Sequence, residues 1–323
     1  MQAAVAPLVS VPQAPVPTGS AAEWFKGQHG VRLRAAVFSP PGKARGSIVL
    51  SPGRTEAIEK YFEVVSALQA RGFVVLVHDW RGQGLSNRML GERLKGHAAG
   101  FEPFLADYQA LLAHFADRLP GPWIAMGHSM GGCLTALALG HGEDRFSAAV
   151  LSAPMFGILT GGMPKGLTKT LTKIMIALGQ GSAYVLGDPG KPFDNDFSAN
   201  VLTHDKARFE RSHAIITANP DLALGAPTWR WLDFAFRACG WLATSPSLTR
   251  ISIPVLVFSA GEEALVDNLE QAHVTGRLPQ GRLIAVPGAF HEILMETDAL
   301  SAPFWAEFDR LADQIAPPIK ARA

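Results

Sequence analysis

The stretch AMGHSMGG, residues 125–132, decides how the rest of the chain is read. It carries G-x-S-x-G with Gly127, Ser129 and Gly131 in the fixed positions, directly follows the apolar run WIAMG (123–127), and opens into the small, apolar GCLTALALG (132–140). A serine between a strand and a helix sits on a sharp, strained turn, and a side chain at the flanking positions would collide with neighbouring backbone. The helix start beyond that turn offers free N–H groups and a positive dipole end to a developing negative charge. The context therefore points to Ser129 as a nucleophile rather than an incidental serine in a packing turn.

Outward from this elbow, short β-branched runs recur: GSIVLS (46–51), FVVLVHD (73–79), AAVLSA (148–153), PVLVFSA (254–260) and RLIAVPG (282–288). Helical patterns such as TEAIEKYFEVVSALQARG (55–72) and FEPFLADYQALLAHFADRL (101–119) alternate with them. Continuous apolar strands alternating with amphipathic helices imply an α/β fold, a mostly parallel central sheet flanked by helices. WFKGQHGVRLRAAVF (24–38) adds two strands around a turn at Gln28 to Gly30. Residues 1–20 read as a Pro-rich arm, 21–154 as the first part of the core and 251–318 as the second. The interval 155–250 has no convincing strand but several apolar helical segments, among them LTKTLTKIMIALG (167–179) and TWRWLDFAFRACGWLA (228–243), and reads as a helical cap inserted between core strands.

With 29 Lys and Arg against 28 Asp and Glu, the 323-residue chain has net charge +1; 48% of residues are apolar and 18% charged. Neither disorder nor a nucleic-acid partner fits that balance. The two cysteines, Cys133 and Cys239, form no metal or redox spacing and read as buried thiols in a reducing compartment. The first twenty residues lack a basic n-region and are broken by prolines, and no apolar run approaches a membrane span, so cytoplasm is the expected address.

A general base for Ser129 must reach it from the same sheet edge, from a loop after a strand end. His291, following RLIAVPGAF, satisfies this and completes the chain order serine, acid, histidine. His128 is expected to point into packing, His78 to play a structural part near the site, and His204 and His213 to serve surface or capping roles. The acid must fix one imidazole nitrogen from the first turn beyond the penultimate strand, which ends near Ala260. Glu262, Glu263 and Asp267 all follow it. Asp267 is the shorter and more conventional group, but it immediately precedes NLEQAHVTGRL (268–278), where N-capping is a sufficient explanation. Glu262 reads as a solvated loop residue.

SPGRTEAIEKY (51–61), HDWRGQGLS (78–86), GHSMGG (127–132), NVLTHDKARF (200–209) and GAFHEILMETD (288–298) together resemble the α/β-hydrolase superfamily. Within it the sequence resembles the branch of bacterial lysophospholipases and monoacylglycerol lipases that includes serine-aminopeptidase-like hydrolases. The resemblance implies an α/β-hydrolase fold and a Ser129–His291–acid triad acting on a small-molecule acyl ester, without metal or organic cofactor. Aligned by motif, the usual aspartate falls on Glu263, which is preferred over Asp267. The oxyanion donors implied are the N–H groups of Met130 and, where relatives carry a His-Gly turn, Arg54. The Arg54 side chain is either paired with Glu56 or in contact with a substrate phosphate or carboxylate. Trp229, Trp231 and Phe234, with Phe236 and Trp241, either line an acyl channel or glue the cap to the core. The rival readings are an aminopeptidase using Asp194, Asp196, Asp205 or Asp233 to bind an α-amine, and a ligand receptor without turnover. A lipid substrate is compatible with transient membrane-surface contact, although no basic amphipathic helix is identified in the sequence.

Overall fold

Strands β1 (Ser20–Lys26) and β2 (Arg32–Phe38) pair antiparallel around the Gln28–Gly30 turn, and β2 lies antiparallel to β4 (Phe73–His78). From there β3 (Gly46–Ser51), β5 (Trp123–His128), β6 (Phe146–Ser152), β7 (Val255–Ala260) and β8 (Gly281–Val286) continue in parallel, giving one sheet in the order β1-β2-β4-β3-β5-β6-β7-β8. This computed structural model describes residues 4–185, 190, 192–193 and 196–319. The α/β-hydrolase fold anticipated from the strand and helix pattern is the one observed.

The central strands are buried on both faces, which is why they read as unbroken apolar runs. Successive side chains nevertheless serve opposite layers. Ile124 and Met126 of β5 join one cluster with Phe304 and Phe308 of α8 (Asp298–Ile315), whereas Trp123 and Ala125 join another with α2 (Glu102–Phe115) and α3 (Met130–Gly140). Every residue of α3 is buried, and its small side chains let it lie close beneath the sheet edge.

The arm runs against the core: Ala6, Val11 and Ala14 are buried and Val9 N–H donates to Glu59. Between β6 and β7 the chain forms α4 (Lys165–Ala177), α5 (Lys206–Ala218) and α6 (Trp229–Thr244). Thr228 caps α6 and also donates to the carbonyl of Gly96, tying this insertion to a core loop. Contrary to the sequence expectation, α4 is a basic amphipathic helix. Leu167, Ile174 and Leu178 along and just beyond it are 57%, 49% and 68% exposed, and it carries Lys165, Lys169 and Lys173 without an acid.

Candidate active site

Strand β3 lies between β4 and β5, so the connections around it leave in opposite directions and open a crevice at the strand carboxyl ends. Ser51 at the end of β3 pairs with Gly127 in β5, bringing the Ser51–Arg54 loop beside the Ser129 elbow. Ser129 holds φ 50° and ψ −118°, a backbone strain costing roughly 1–3 kcal/mol. Its N–H donates to Ser152 O at 3.0 Å, and its carbonyl accepts from Met155 and Cys133. A Cβ on Gly131 would stand 2.1 Å from the carbonyl oxygen of Ser51, so glycine there is a condition for the loop to approach.

Three strand ends contribute polar side chains at this edge: β5 leads into Ser129, β7 into Glu263 and β8 into His291. Glu263 Oε2 accepts from His291 Nδ1 at 2.7 Å, with both side chains almost wholly buried. The other oxygen, Oε1, accepts the backbone N–H groups of Ala264, Leu265 and Val266 at 3.0, 2.8 and 3.3 Å. Burial opposes ionisation of this carboxyl, but the His291 bond and charge and these N–H groups prevail and hold its pKa below the usual value. Asp267 is not brought to His291: it caps α7 (Asn268–Thr275) by accepting from Leu269 N–H at 2.9 Å and pairs with Lys165. Glu262 is exposed.

Met130 opens α3, so its N–H has no partner within the helix. Around Arg54, Gln83 Nε2 donates to Gly53 O at 2.9 Å and Gln83 Oε1 accepts from Thr55 N–H at 3.2 Å. Gln83 thus grips both neighbours and leaves Arg54 N–H with no protein acceptor among the described residues. Trp80 Nε1 also donates to Pro52 O at 2.8 Å. The HDWRGQGLS segment therefore shapes the loop, a role its sequence gave no means of assigning.

His128 departs from expectation. Its Nδ1 lies 3.2 Å from Glu56 Oε2, its Nε2 lies 3.3 Å from the carbonyl oxygen of His291, and its ring is 4.9 Å from the His291 ring. A carboxylate and a carbonyl both only accept, so the two contacts together favour the doubly protonated ring. Burial works against that charge, but Glu56 outweighs it and raises the His128 pKa. Glu56 also accepts from Gly53 N–H, from Tyr61 OH at 2.5 Å and from Lys60 Nζ at 2.8 Å, and Lys60 in turn meets Glu292. Glu56 is thereby occupied without Arg54, and the Arg54–Glu56 pair, one of the two alternatives for that side chain, does not form. His78 lies 3.3 Å from Ser51 Oγ, and burial depresses its pKa to about 3.

Phe234 is 0% exposed and stacks on Phe104 of α2 at 5.2 Å, and Trp231 packs in the same cluster. Trp229 belongs to a smaller cluster with Leu232 and Phe236. All three are buried against apolar neighbours. Cys133 and Cys239, remote in sequence, are both buried and free; burial, with the Cys239 thiol alongside, pushes the Cys133 thiol well up. His204 pairs with Glu296 at 2.8 Å and His213 contacts the carbonyl of Phe209. Asp205 caps α5 and Asp196 caps a short turn, Asp233 lies half-buried on α6, and Asp194 falls outside the described residues. Among the described residues no group of three His, Cys, Asp or Glu side chains is arranged to hold a metal ion.

The profile of the family described as serine aminopeptidase, S33 matches residues 42–298. Lysophospholipase L2 of Escherichia coli K12 is 33% identical over 264 residues, covering 78% of this chain and 76% of that protein. Monoacylglycerol lipase of Mycolicibacterium smegmatis is 32% identical over 56% of this chain and 59% of its own. A soluble variant of Saccharomyces cerevisiae monoglyceride lipase, solved with a substrate analog, shares the fold at a TM-score of 0.72, with 19% identity, 95% of this chain and 99% of that one covered.

Proposed function

The chain belongs to the serine aminopeptidase, S33 family of α/β-hydrolases, and from that premise we propose that it is a serine hydrolase cleaving the carboxylic ester of a single-chain acyl lipid, a lysophospholipid or a monoacylglycerol. Ser129 Oγ attacks the ester carbonyl as His291 Nε2 takes its proton. Glu263 holds His291 Nδ1–H, fixes the tautomer and stabilises the imidazolium. The N–H groups of Met130 and Arg54 receive the oxyanion, His291 protonates the leaving alcohol, and water activated by the same imidazole releases the fatty acid. The observation that carries this reading is the 2.7 Å bond from His291 Nδ1 to Glu263, on a loop whose carbonyl is held by the residue preceding Ser129. The insertion of residues 155–250 acts as a cap, and exposed α4 meets the lipid surface from which substrate is drawn. Of the acids an aminopeptidase would draw on, Asp196 and Asp205 are engaged in capping a turn and a helix.

The test is fatty-acid release from lysophosphatidylcholine and from a monoacylglycerol by wild type and Ser129→Ala. Turnover that disappears in the variant is expected; folded wild type inactive on both lipids would overturn the assignment.

A further inference from the structure

Arg34 and Arg81, both buried, face acids: Arg34 meets Glu59 and Asp79, and Arg81 meets Asp107. Arg54 does not. Its guanidinium lies 5.1 Å from the centre of the Trp231 ring and donates one bond, from Nη2, to the carbonyl of Gly225. Its Nε is buried with no acceptor, and among the described residues no carboxylate pairs with it. Glu56, the nearest acid in sequence, is already held by Gly53, Lys60, Tyr61 and His128. Burial lowers the Arg54 pKa to about 10, which still leaves it charged at neutral pH. A half-buried guanidinium with a buried, unpartnered Nε and most of its donors unused is less favourable than one met by an anion.

We propose that Arg54 determines head-group specificity, its guanidinium receiving the phosphate of a lysophospholipid whose ester carbonyl lies against the N–H of the same residue. This rests on the acyl-ester reading above. The reach matches: phosphate and scissile ester are separated by one glycerol unit, and guanidinium and oxyanion donor by one arginine side chain. The position over the Trp231 ring and the bond to Gly225 restrain the guanidinium, so a phosphate is met by a positioned donor set rather than a flexible point charge. A neutral monoacylglycerol makes no such contact, and the residue thereby divides the two substrate classes.

The experiment compares kcat/KM for lysophosphatidylcholine and for a monoacylglycerol of the same acyl chain in wild type, Arg54→Gln and Arg54→Lys, with folding checked by circular dichroism. Because this backbone N–H serves the oxyanion, both substrates can slow together; the readout is their ratio. We expect the lysophospholipid-to-monoacylglycerol ratio to fall about tenfold or more in Arg54→Gln, chiefly through KM, and to recover in part in Arg54→Lys. Glycerophosphocholine, competing with the monoacylglycerol, should lose potency in parallel. A ratio and a glycerophosphocholine potency unchanged across all three proteins would overturn the proposal and leave Arg54 as a pin for the Gly225 loop. Wild type that cleaves the monoacylglycerol but not the lysophospholipid also overturns it, while the acyl-ester reading survives. Wild type inactive on both sinks the two together.

Discussion

At Glu263 a longer acid solves its own problem of flexibility. Its side chain folds back so that three successive backbone N–H groups hold Oε1 and leave Oε2 for His291. Glu263→Gln keeps the shape but loses the charge that steadies the imidazolium, so kcat should drop by about 10³- to 10⁴-fold with little change in KM. Asp267→Ala should instead cost about 1 kcal/mol of stability, the loss of a helix cap, with activity reduced only a few-fold; urea unfolding beside steady-state kinetics separates the two. The sequence offered both acids and a reason for each, but only the path of the loop after β7 determines which carboxylate meets the imidazole. His128 adds a pH signature. Its pKa is raised in the folded state, so the Glu56–His128 pair contributes fully below the ordinary histidine value of about 6.5 and is lost as pH rises through the higher folded value. Denaturation midpoints across that window should fall with rising pH in wild type and flatten in His128→Gln.

Among the elements, α3 and α4 sit at opposite ends of legibility. The elbow and α3 were readable because glycine spacing, a strand before and a small apolar helix after are all local features. Gly131→Ala should disrupt the approach of the Ser51 carbonyl, destabilise the protein by about 1–3 kcal/mol and lower kcat by displacing the Ser51–Arg54 loop proposed to hold the oxyanion. The outward stripe of α4 was not readable, since an apolar run is equally a buried face until its neighbours are known. Leu167, Ile174 and Leu178 form an exposed apolar stripe suited to a lipid surface, while Lys165 is held by Asp267. Replacing Leu167 and Ile174 by Glu should weaken sedimentation with phosphatidylglycerol vesicles while hydrolysis of a short-chain soluble ester continues. Equal vesicle binding by the variant would remove α4 from the lipid surface.

At the scale of the whole molecule, Arg34 is the centre of one closed group of buried charge. Arg34, wholly buried between β1 and β4, donates to both Glu59 oxygens and to Asp79, and Asp79 accepts in turn from Ile58 and Leu85 N–H. Glu59→Gln should cost about 3–5 kcal/mol in equilibrium unfolding, because the guanidinium would be left undercompensated. The opening assignment of a parallel sheet, the serine elbow and the histidine loop followed from patterns that act over a few residues: apolar continuity, strand-to-helix turns and chain order. Those features the sequence determined by itself. That Glu263 rather than Asp267 meets His291, that His128 meets Glu56, that Arg54 has no acid beside it among the described residues and that Phe234 stacks on Phe104 were decided by tertiary structure alone. Each depends on which groups from distant segments share one small volume, and in a desolvated site those neighbours settle charge, orientation and exposure.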